Sequence, residues 1–172
     1  MGRAKKQIEK KQKKAATKKD TPTLLNRKAH HEFEVLETLQ AGLLLTGTEV
    51  KSLRLGRGQL GEGFIKINKQ CEAFLYGTTI PKYEYGNRYN HEPDRIRKLL
   101  LTRKELQKWK ARVDREKLTI IPLKLYFKGS WVKVLIGLAK RKLQHDKRKE
   151  LKEKAVNRDI NREVKSKGFS IK

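Results

Sequence analysis

The sequence predicts a mainly β protein, a small antiparallel barrel or sandwich with a basic extension at each end. Short segments in which apolar and polar residues alternate recur between residues 33 and 138, and glycine-containing turns separate them. Residues 1–20 and 140–172 are rich in Lys and Arg and lack this alternation. A closed barrel is favoured among such folds because it leaves no strand edge free to pair with another chain.

The net charge indicates a polyanionic partner. The chain has 44 Lys and Arg against 19 Asp and Glu, a formal net charge of +25. Residues 1–20 carry +7 and residues 140–172 carry +8, which leaves +10 for the middle. The folded middle therefore presents a basic surface of its own. RNA, DNA and an anionic membrane are the partner classes that such a charge favours.

Cysteine usage and hydropathy narrow the range of cellular compartments that suit the protein. Cys71 is the single cysteine, so an intramolecular disulfide or a cysteine-rich zinc site is excluded, and a reducing compartment fits. No apolar run approaches the roughly 18 residues of a membrane span. The Lys-rich amino terminus has no apolar segment of the kind a secretory signal needs. We expect a soluble, cytoplasmic protein, with the interior of an organelle as the alternative.

The composition divides the chain into three parts. Residues 1–23 are a basic low-complexity extension that we expect to be disordered, and residues 24–139 hold the patterned domain. Residues 140–172 form a basic tail with a narrow apolar stripe and no Gly or Pro before residue 168. A helix with so few apolar residues is only marginally stable alone in water. We therefore expect the tail to be disordered in the free protein and helical when it binds a polyanionic partner. A simple solvated tail is the alternative.

The first half of the domain is predicted to contain three strands and one short helix. Alternation that begins at Glu32 predicts a strand, which Gly42 interrupts. Thr48 is a plausible N-cap for a short helix that follows. Residues 64–67 and 73–76 are two further strands, joined by a turn.

The second half contains the best-defined helix. Residues 102–105 form a capping box, and apolar residues at helical spacing follow, so a helix is predicted over 103–115. Residues 118–127 and 131–138 are predicted to be the two arms of a hairpin. Pro122 indicates a sheet edge or a bulge in the first arm.

Residues 56–61 match the G-x-G-x-x-G pattern of dinucleotide-binding loops. The match follows a predicted helix, not a strand, and opens no helix, so the context of that motif is missing. A turn between helix and strand is the better interpretation.

The segment Gly86–Leu101 is the strongest candidate for a functional loop. Gly86 and Pro93 indicate a loop with fixed backbone demands, and an apolar run follows it. Its Asn, His and Arg side chains carry planar, directional hydrogen-bonding groups suited to phosphates and base edges. An ordinary solvated surface loop is the alternative.

Six blocks of the chain, taken in order and with their spacing, resemble the SsrA-binding protein (SmpB) family. The resemblance covers about residues 24–155. The blocks are Asn26–Ala29, Gly47–Arg54, Gly86–Leu101, Pro122–Phe127, Val132–Ala139 and His145–Arg148.

The resemblance implies an OB-like β-barrel with flanking helices. It also implies binding to the tRNA-like domain of transfer-messenger RNA and delivery of that RNA to stalled ribosomes for trans-translation. The tail is expected to form a helix in the empty message channel, next to the decoding region of the small subunit. A protein of this kind is expected to be a monomer when free, with no cofactor and no membrane partner.

The resemblance also implies two sets of site residues. The RNA-binding set is Asn26, Arg27, Lys28, Glu49, Lys51, Arg54, Asn87, Asn90, His91, Arg95, Arg97, Lys98, Lys124, Tyr126 and Lys133. The ribosome-binding set in the tail is Lys140, His145, Asp146, Lys147 and Arg148.

Two other functions fit parts of the sequence. A generic OB-like RNA-binding protein, such as a ribosomal or assembly protein, suits the basic extensions, but the ordered blocks argue against it. An RNA-modifying enzyme needs a nucleophile or an acid–base pair. His30, His31 and His91 lack metal-ligand spacing, and Cys71 has no cysteine partner. We therefore expect a protein that is not an enzyme.

Overall fold

The computed structural model describes residues 22–143, together with residue 156 and residues 159–161. Three helices and seven strands occur in residues 22–143, with one 3-10 turn at Asn87–Tyr89. The helices are α1 (Arg27–Glu32), α2 (Gly47–Arg54) and α3 (Arg103–Glu116). The strands are β1 (Leu24–Leu25), β2 (Phe33–Leu43), β3 (Phe64–Ile67), β4 (Ala73–Tyr76), β5 (Arg97–Leu100), β6 (Thr119–Lys128) and β7 (Trp131–Arg141).

The strands form one antiparallel sheet that closes on itself. Neighbouring strands follow the order β6-β3-β4-β5-β2-β7, and β7 pairs with β6 to complete the ring. The two-residue strand β1 adds to β6 beside β3. The prediction of a mainly β, OB-like fold is confirmed.

Strands β2, β6 and β7 are the long strands, and bulges bend two of them. The register shifts between Val35 and Glu37 in β2, and between Pro122 and Lys124 in β6. Proline has no N–H to donate to the ladder, so a strand tolerates it at such a point. The bulge predicted at Pro122 is confirmed, and bulges of this kind help long strands curve around a closed sheet.

The hydrophobic core fills the ring, and α3 covers one side of it. Inward residues of the strands, such as Leu75, Val134 and Leu138, are at most 1% exposed. Leu106 and Trp109 of α3 belong to the same cluster. On the outer face of β6 and β7, Ile121, Leu123 and Ala139 form a second, smaller cluster with Ala29 of α1.

The predicted helix of residues 103–115 is confirmed as α3, and its capping box is present at Thr102 and Glu105. The strands predicted at residues 64–67 and 73–76 are confirmed as well. Residues 56–61 lie between α2 and β3, and no helix begins there, as predicted.

Gly42 does not interrupt the first strand, contrary to the prediction. β2 runs on to Leu43, and Gly42 lies opposite both Lys133 of β7 and Leu100 of β5. A Cβ atom at Gly42 would lie 3.2 Å from the Leu100 Cβ. The glycine therefore permits the close approach of β5 to β2.

The cap of α2 is Thr46 rather than Thr48, which corrects the prediction. The Glu49 carboxylate accepts hydrogen bonds from the Thr46 backbone N–H (2.7 Å) and hydroxyl (3.2 Å). In a capping box the glutamate stands three residues after the cap, and only Thr46 has that spacing.

The patterned domain extends two residues past the predicted boundary. Lys140, assigned above to the tail, lies in β7 opposite Glu34, and the strand ends at Arg141. Strand β1 and helix α1 were not predicted, because two and six residues are too few to show a period. The predictions for residues 1–21, and nearly all of those for the tail beyond residue 143, lie outside the described residues.

Candidate nucleic-acid interface

A buried ion-pair network joins α2 to the loop that precedes β5. Oε1 of Glu49 accepts hydrogen bonds from Nε of Arg95 and Nε of Arg97, both at 2.8 Å. Oε2 of Glu49 accepts a third from Nη2 of Arg95 at 2.5 Å. The side chains of Glu49 and Arg97 are 0% exposed and that of Arg95 is 28% exposed.

Arg97 also holds the backbone of the loop. Its Nη1 donates to the carbonyl oxygens of Thr78 (2.7 Å) and Arg95 (2.9 Å), and its Nη2 donates to that of Pro93 (2.7 Å). Among the described residues, no buried side-chain nitrogen or oxygen lacks a hydrogen-bond partner. Burying these charges is tolerated because each is paired and fully hydrogen-bonded.

The ion pairs keep Glu49 ionised. Burial raises the pKa of its carboxyl group, but hydrogen bonds from Arg95 and Thr46 and the charge of Arg97 outweigh it, leaving the pKa below its usual value. Burial lowers the pKa of Arg97, although the nearby Glu49 carboxylate opposes that change. An arginine remains protonated even so, and the pair is therefore ionic.

His91 and Asn90 hold the same loop from the other side. His91 is 6% exposed. Its Nε2 lies 3.0 Å from the Ile80 carbonyl oxygen and its Nδ1 lies 2.9 Å from the Thr48 hydroxyl. Because a carbonyl oxygen only accepts, Nε2 carries the hydrogen. The Asn90 side chain donates to the Tyr83 carbonyl oxygen (2.6 Å) and accepts from the Tyr83 N–H (3.2 Å).

Four residues predicted to contact RNA lie inside the protein, which corrects the prediction of direct contact. They are Asn26, Glu49, His91 and Arg97, none more than 6% exposed. Asn26 caps α1 and donates to the carbonyl oxygens of Leu60 (3.0 Å) and Pro122 (2.9 Å). Their polar atoms are used within the fold, and they position the surface rather than form it. Asn90, which is half-buried, clamps the loop in the same way.

The tip of the loop, in contrast, is exposed. Asn87, Arg88 and Tyr89 form the 3-10 turn, and all three side chains are exposed. Asn87 adopts a left-handed conformation with φ of 44°, which asparagine tolerates better than most residues. The structure thus places Asn87, of the predicted RNA-binding set, where a ligand can reach it.

We expect Gly86→Ala to loosen this tip. A Cβ atom at Gly86 would lie 2.6 Å from Asn90 Nδ2 and 3.0 Å from the Tyr83 carbonyl oxygen, so the Asn90 amide would be displaced. Loss of its hydrogen bonds should lower the free energy of unfolding by about 1–2 kcal/mol, measured by urea denaturation. Gly47→Ala is the matched control, because no atom lies within 4 Å of the added carbon. Equal effects of both variants would contradict this account.

Helix α2 carries basic residues beside the loop. Lys51 and Arg54 of the predicted set are exposed on it. The Lys51 ammonium lies 5.3 Å from the centre of the Tyr83 ring, within the range of a cation–π contact. Arg57, just after the helix, forms an ion pair at 2.5 Å with Glu84 of the loop.

The predicted group of Lys124, Tyr126 and Lys133 comes together on β6 and β7. Tyr126 lies directly opposite Lys133, and the Lys124 ammonium is 5.4 Å from the centre of the Tyr126 ring. All three side chains are half-buried. Phe127, the next residue, packs against the core, so one of the two adjacent aromatic residues is a core residue, as expected.

The other predicted cations of the described residues lie on α1, β5 and β7. Arg27 and Lys28 are exposed on α1, where Lys28 forms a 3.5 Å ion pair with Glu62. Lys98 lies on the outer face of β5, paired with Glu72. Lys140 is exposed near the end of β7, while His145, Asp146, Lys147 and Arg148 lie outside the described residues.

The sequence reasoning missed two aromatic features of the surface. Phe64 and Tyr76 stack across β3 and β4 with ring centres 5.3 Å apart, and the Lys66 ammonium lies 5.4 Å from the Phe64 ring. Tyr85 and Tyr89 project from the loop. The available signal for the second feature was the presence of tyrosines in a segment rich in Gly and Asn, where packing gives them no role.

The described residues contain neither a candidate metal site nor a membrane-spanning helix. No group of three or more His, Cys, Asp or Glu side chains there is arranged to hold a metal ion. Of the helices in that part of the chain, none is long and apolar enough to cross a membrane.

Comparison with known proteins agrees with this geometry. The model of the SmpB protein family matches residues 23–166. The SsrA-binding protein of Enterococcus faecalis is 50% identical over 141 residues, 82% of this chain and 91% of that protein. The one of Shouchella clausii is 48% identical over 140 residues, 81% of this chain and 89% of that protein.

A solved structure is similar as well. It comes from work on "tmRNA-SmpB: a journey to the center of the bacterial ribosome". The solved chain is 44% identical, with a TM-score of 0.61, and the match covers 72% of this chain and 86% of that one.

A small closed antiparallel sheet, with a basic, aromatic-bearing surface and an ordered polar loop, defines a β-barrel protein of the nucleic-acid-binding class. Within that class, this chain belongs to the SmpB protein family, whose model covers more than four fifths of its length.

Proposed function

We propose that this protein binds transfer-messenger RNA and delivers it to stalled ribosomes for trans-translation. The observation that carries the proposal is the similarity to SsrA-binding proteins, which extends over 82% of the chain at 50% identity. The relative of known structure belongs to a study of tmRNA and SmpB in the bacterial ribosome. The partners are therefore transfer-messenger RNA, through its tRNA-like domain, and the ribosome.

The body of the protein recognises folded RNA by shape and backbone. The major groove of A-form RNA is too narrow for side chains to read, so phosphate and 2′-hydroxyl contacts dominate. Exposed side chains of the predicted set suit this role, and they are Arg27, Lys28, Lys51, Arg54 and Asn87. The half-buried group of Lys124, Tyr126 and Lys133 adds to them. Arg95 and Lys98 are partly exposed and add charge while they hold Glu49 and Glu72.

The buried residues fix the position of this surface. Glu49 and Arg97 connect α2 to the loop before β5, and Asn26 connects α1 to β6. A surface held in place before binding loses little conformational entropy when RNA docks. Substitution of these residues is expected to weaken RNA binding through loss of structure.

The tail has a separate task on the ribosome. Its residues 144–172 enter the empty message channel, where His145 stacks on an rRNA base and Lys147 and Arg148 hold rRNA phosphates. We assign no function to the basic extension of residues 1–23. The protein acts as an adaptor and not as an enzyme, and its place of action is the bacterial cytoplasm, where ribosomes translate.

Competition binding tests the proposal. Labelled transfer-messenger RNA should stay bound to the full chain in the presence of excess bulk tRNA at physiological salt. If about six phosphates are neutralised, log K should fall with log salt at a slope of about −4 to −5. Asn87→Ala should weaken this binding, and Gln107→Ala, which removes an exposed amide from α3 outside the proposed surface, serves as the control.

Equal displacement by both RNAs would overturn the proposal. The protein would then be a generic RNA-binding module of the same fold, such as a ribosomal or assembly protein, with no preference for the tRNA-like domain.

A further inference from the structure

Two tyrosines on the loop beside α2 are exposed to an unusual degree. Tyr85 is 79% exposed and Tyr89 is 91% exposed. Neither is needed to fill the core, which is complete without them. We propose that these two rings form a stacking site for unpaired RNA bases, an inference that rests on the proposed RNA-binding function and specifies which RNA structure this loop binds.

The loop that carries the rings is ordered. The Asn90 amide closes residues 83–90 through two hydrogen bonds with the Tyr83 backbone. Gly86 N–H adds a third to the Tyr83 carbonyl oxygen at 2.9 Å. Arg97 holds the far side of the loop through the Pro93 carbonyl oxygen. Rings on an ordered loop bind bases with little loss of backbone entropy.

Tyr85 belongs to a larger aromatic and cationic group. Tyr83 and Tyr85 meet edge to face, with ring centres 5.6 Å apart and planes at 62°. Lys51 lies on the Tyr83 ring and braces that end of the group. Tyr85 is thereby oriented from one edge while most of its surface remains free. Every base has a π face, so stacking here tolerates any sequence.

The local charge favours RNA over a protein partner. Glu84 is the sole acidic residue of the segment 82–90, and its ion pair with Arg57 neutralises it. Arg88 is exposed, and it lies between Tyr85 and Tyr89 in the sequence. With Lys82 and Arg88 exposed on the same segment, the loop offers both rings for bases and cations for the phosphates of a single strand. A protein surface that docks on the tyrosines is the competing occupant.

Paired variants of the full chain separate ring stacking from other contacts. Tyr85→Leu with Tyr89→Leu removes both π faces, while Tyr85→Phe with Tyr89→Phe keeps them. The probes are a labelled unstructured RNA of about 12 nucleotides and the duplex of the same sequence, followed by anisotropy. We expect the leucine pair to lose at least about tenfold in affinity for the single strand, and the phenylalanine pair about twofold or less. The salt slope and the duplex affinity should not change.

Three results would overturn the proposal. The leucine pair binding the single strand like the unmodified chain would exclude stacking. A loss as large in the phenylalanine pair would assign the effect to the hydroxyl groups. A leucine pair with normal affinity for the single strand but reduced binding to ribosomes would assign the tyrosines to a contact on the ribosome instead of a site for unpaired bases.

The stacking site and the proposed function can fail independently of each other in these experiments. If the unmodified chain fails to prefer transfer-messenger RNA over tRNA, the proposed function fails whatever the variants do. If that preference is present and the leucine pair binds single strands normally, the stacking site alone fails. Thermal unfolding should be equal for all three proteins, because both side chains are exposed.

Discussion

Glu49→Gln is expected to lower the free energy of unfolding by about 3–5 kcal/mol, enough to threaten the fold of a domain this size. The substitution preserves shape but removes the charge that both Arg95 and Arg97 share. Arg97 has no exposed surface, so its guanidinium would be left as a buried charge without a directly paired carboxylate. Urea denaturation near neutral pH measures the loss. Binding of transfer-messenger RNA should weaken in parallel, because the loop before β5 loses its anchor.

The matched control is Glu62→Gln, which removes the same charge from an exposed ion pair with Lys28 at 3.5 Å. Exposed pairs contribute little to stability, so this variant should unfold like the unmodified chain. A Glu49 variant as stable as the control would show that the buried network does not hold the loop.

The same residue predicts an acid dependence of stability. The pKa of Glu49 is lower in the folded state than its usual value of 4.5, so its ionised form is favoured by folding. Its contribution is complete above that value and is lost as the pH falls through the lower, folded pKa. The stability difference between the unmodified chain and Glu49→Gln should therefore shrink on acidification below about pH 4.5. A constant difference down to low pH would contradict this assignment.

Removal of residues 144–172 is expected to abolish ribosome rescue while leaving the affinity for transfer-messenger RNA within about fivefold of the full chain. The closed sheet ends at Arg141, which pairs with Phe33, so the cut leaves intact every strand that the structure describes. Removal of the tail also removes a net charge of +5. For that reason only the non-specific, electrostatic part of RNA binding should weaken. In vitro tagging of a nascent chain on a truncated message, with RNA binding in parallel, measures the two activities.

The full chain with Lys147→Ala and Arg148→Ala is the companion variant, because it removes two tail charges without changing the length. It should reduce tagging and leave RNA binding unchanged. If the truncated chain lost RNA affinity as severely as Asn87→Ala, the division between body and tail would be wrong. A cut before Arg141 is unsuitable for this test, because it would shorten β7.

Local chemistry was sufficient to predict several elements from the sequence. The helix α3 follows from a capping box and apolar residues at helical spacing, all within 14 residues. Strands β3 and β4 and the hairpin of β6 and β7 follow from alternation between turns. The ordered motif blocks indicated the family, and the charge indicated a polyanionic partner.

The tertiary structure alone decided which polar residues face the solvent. Asn87 and Asn90 are three positions apart in one loop, yet the first is exposed and the second clamps the Tyr83 backbone. Arg54 is exposed, while Arg97 is buried against a glutamate 48 positions away. The same side chains suit an RNA phosphate and an internal carboxylate equally well. Burial depends on contacts between segments distant in sequence, and for that reason the sequence named the loop and the helix but not the residues that face the RNA.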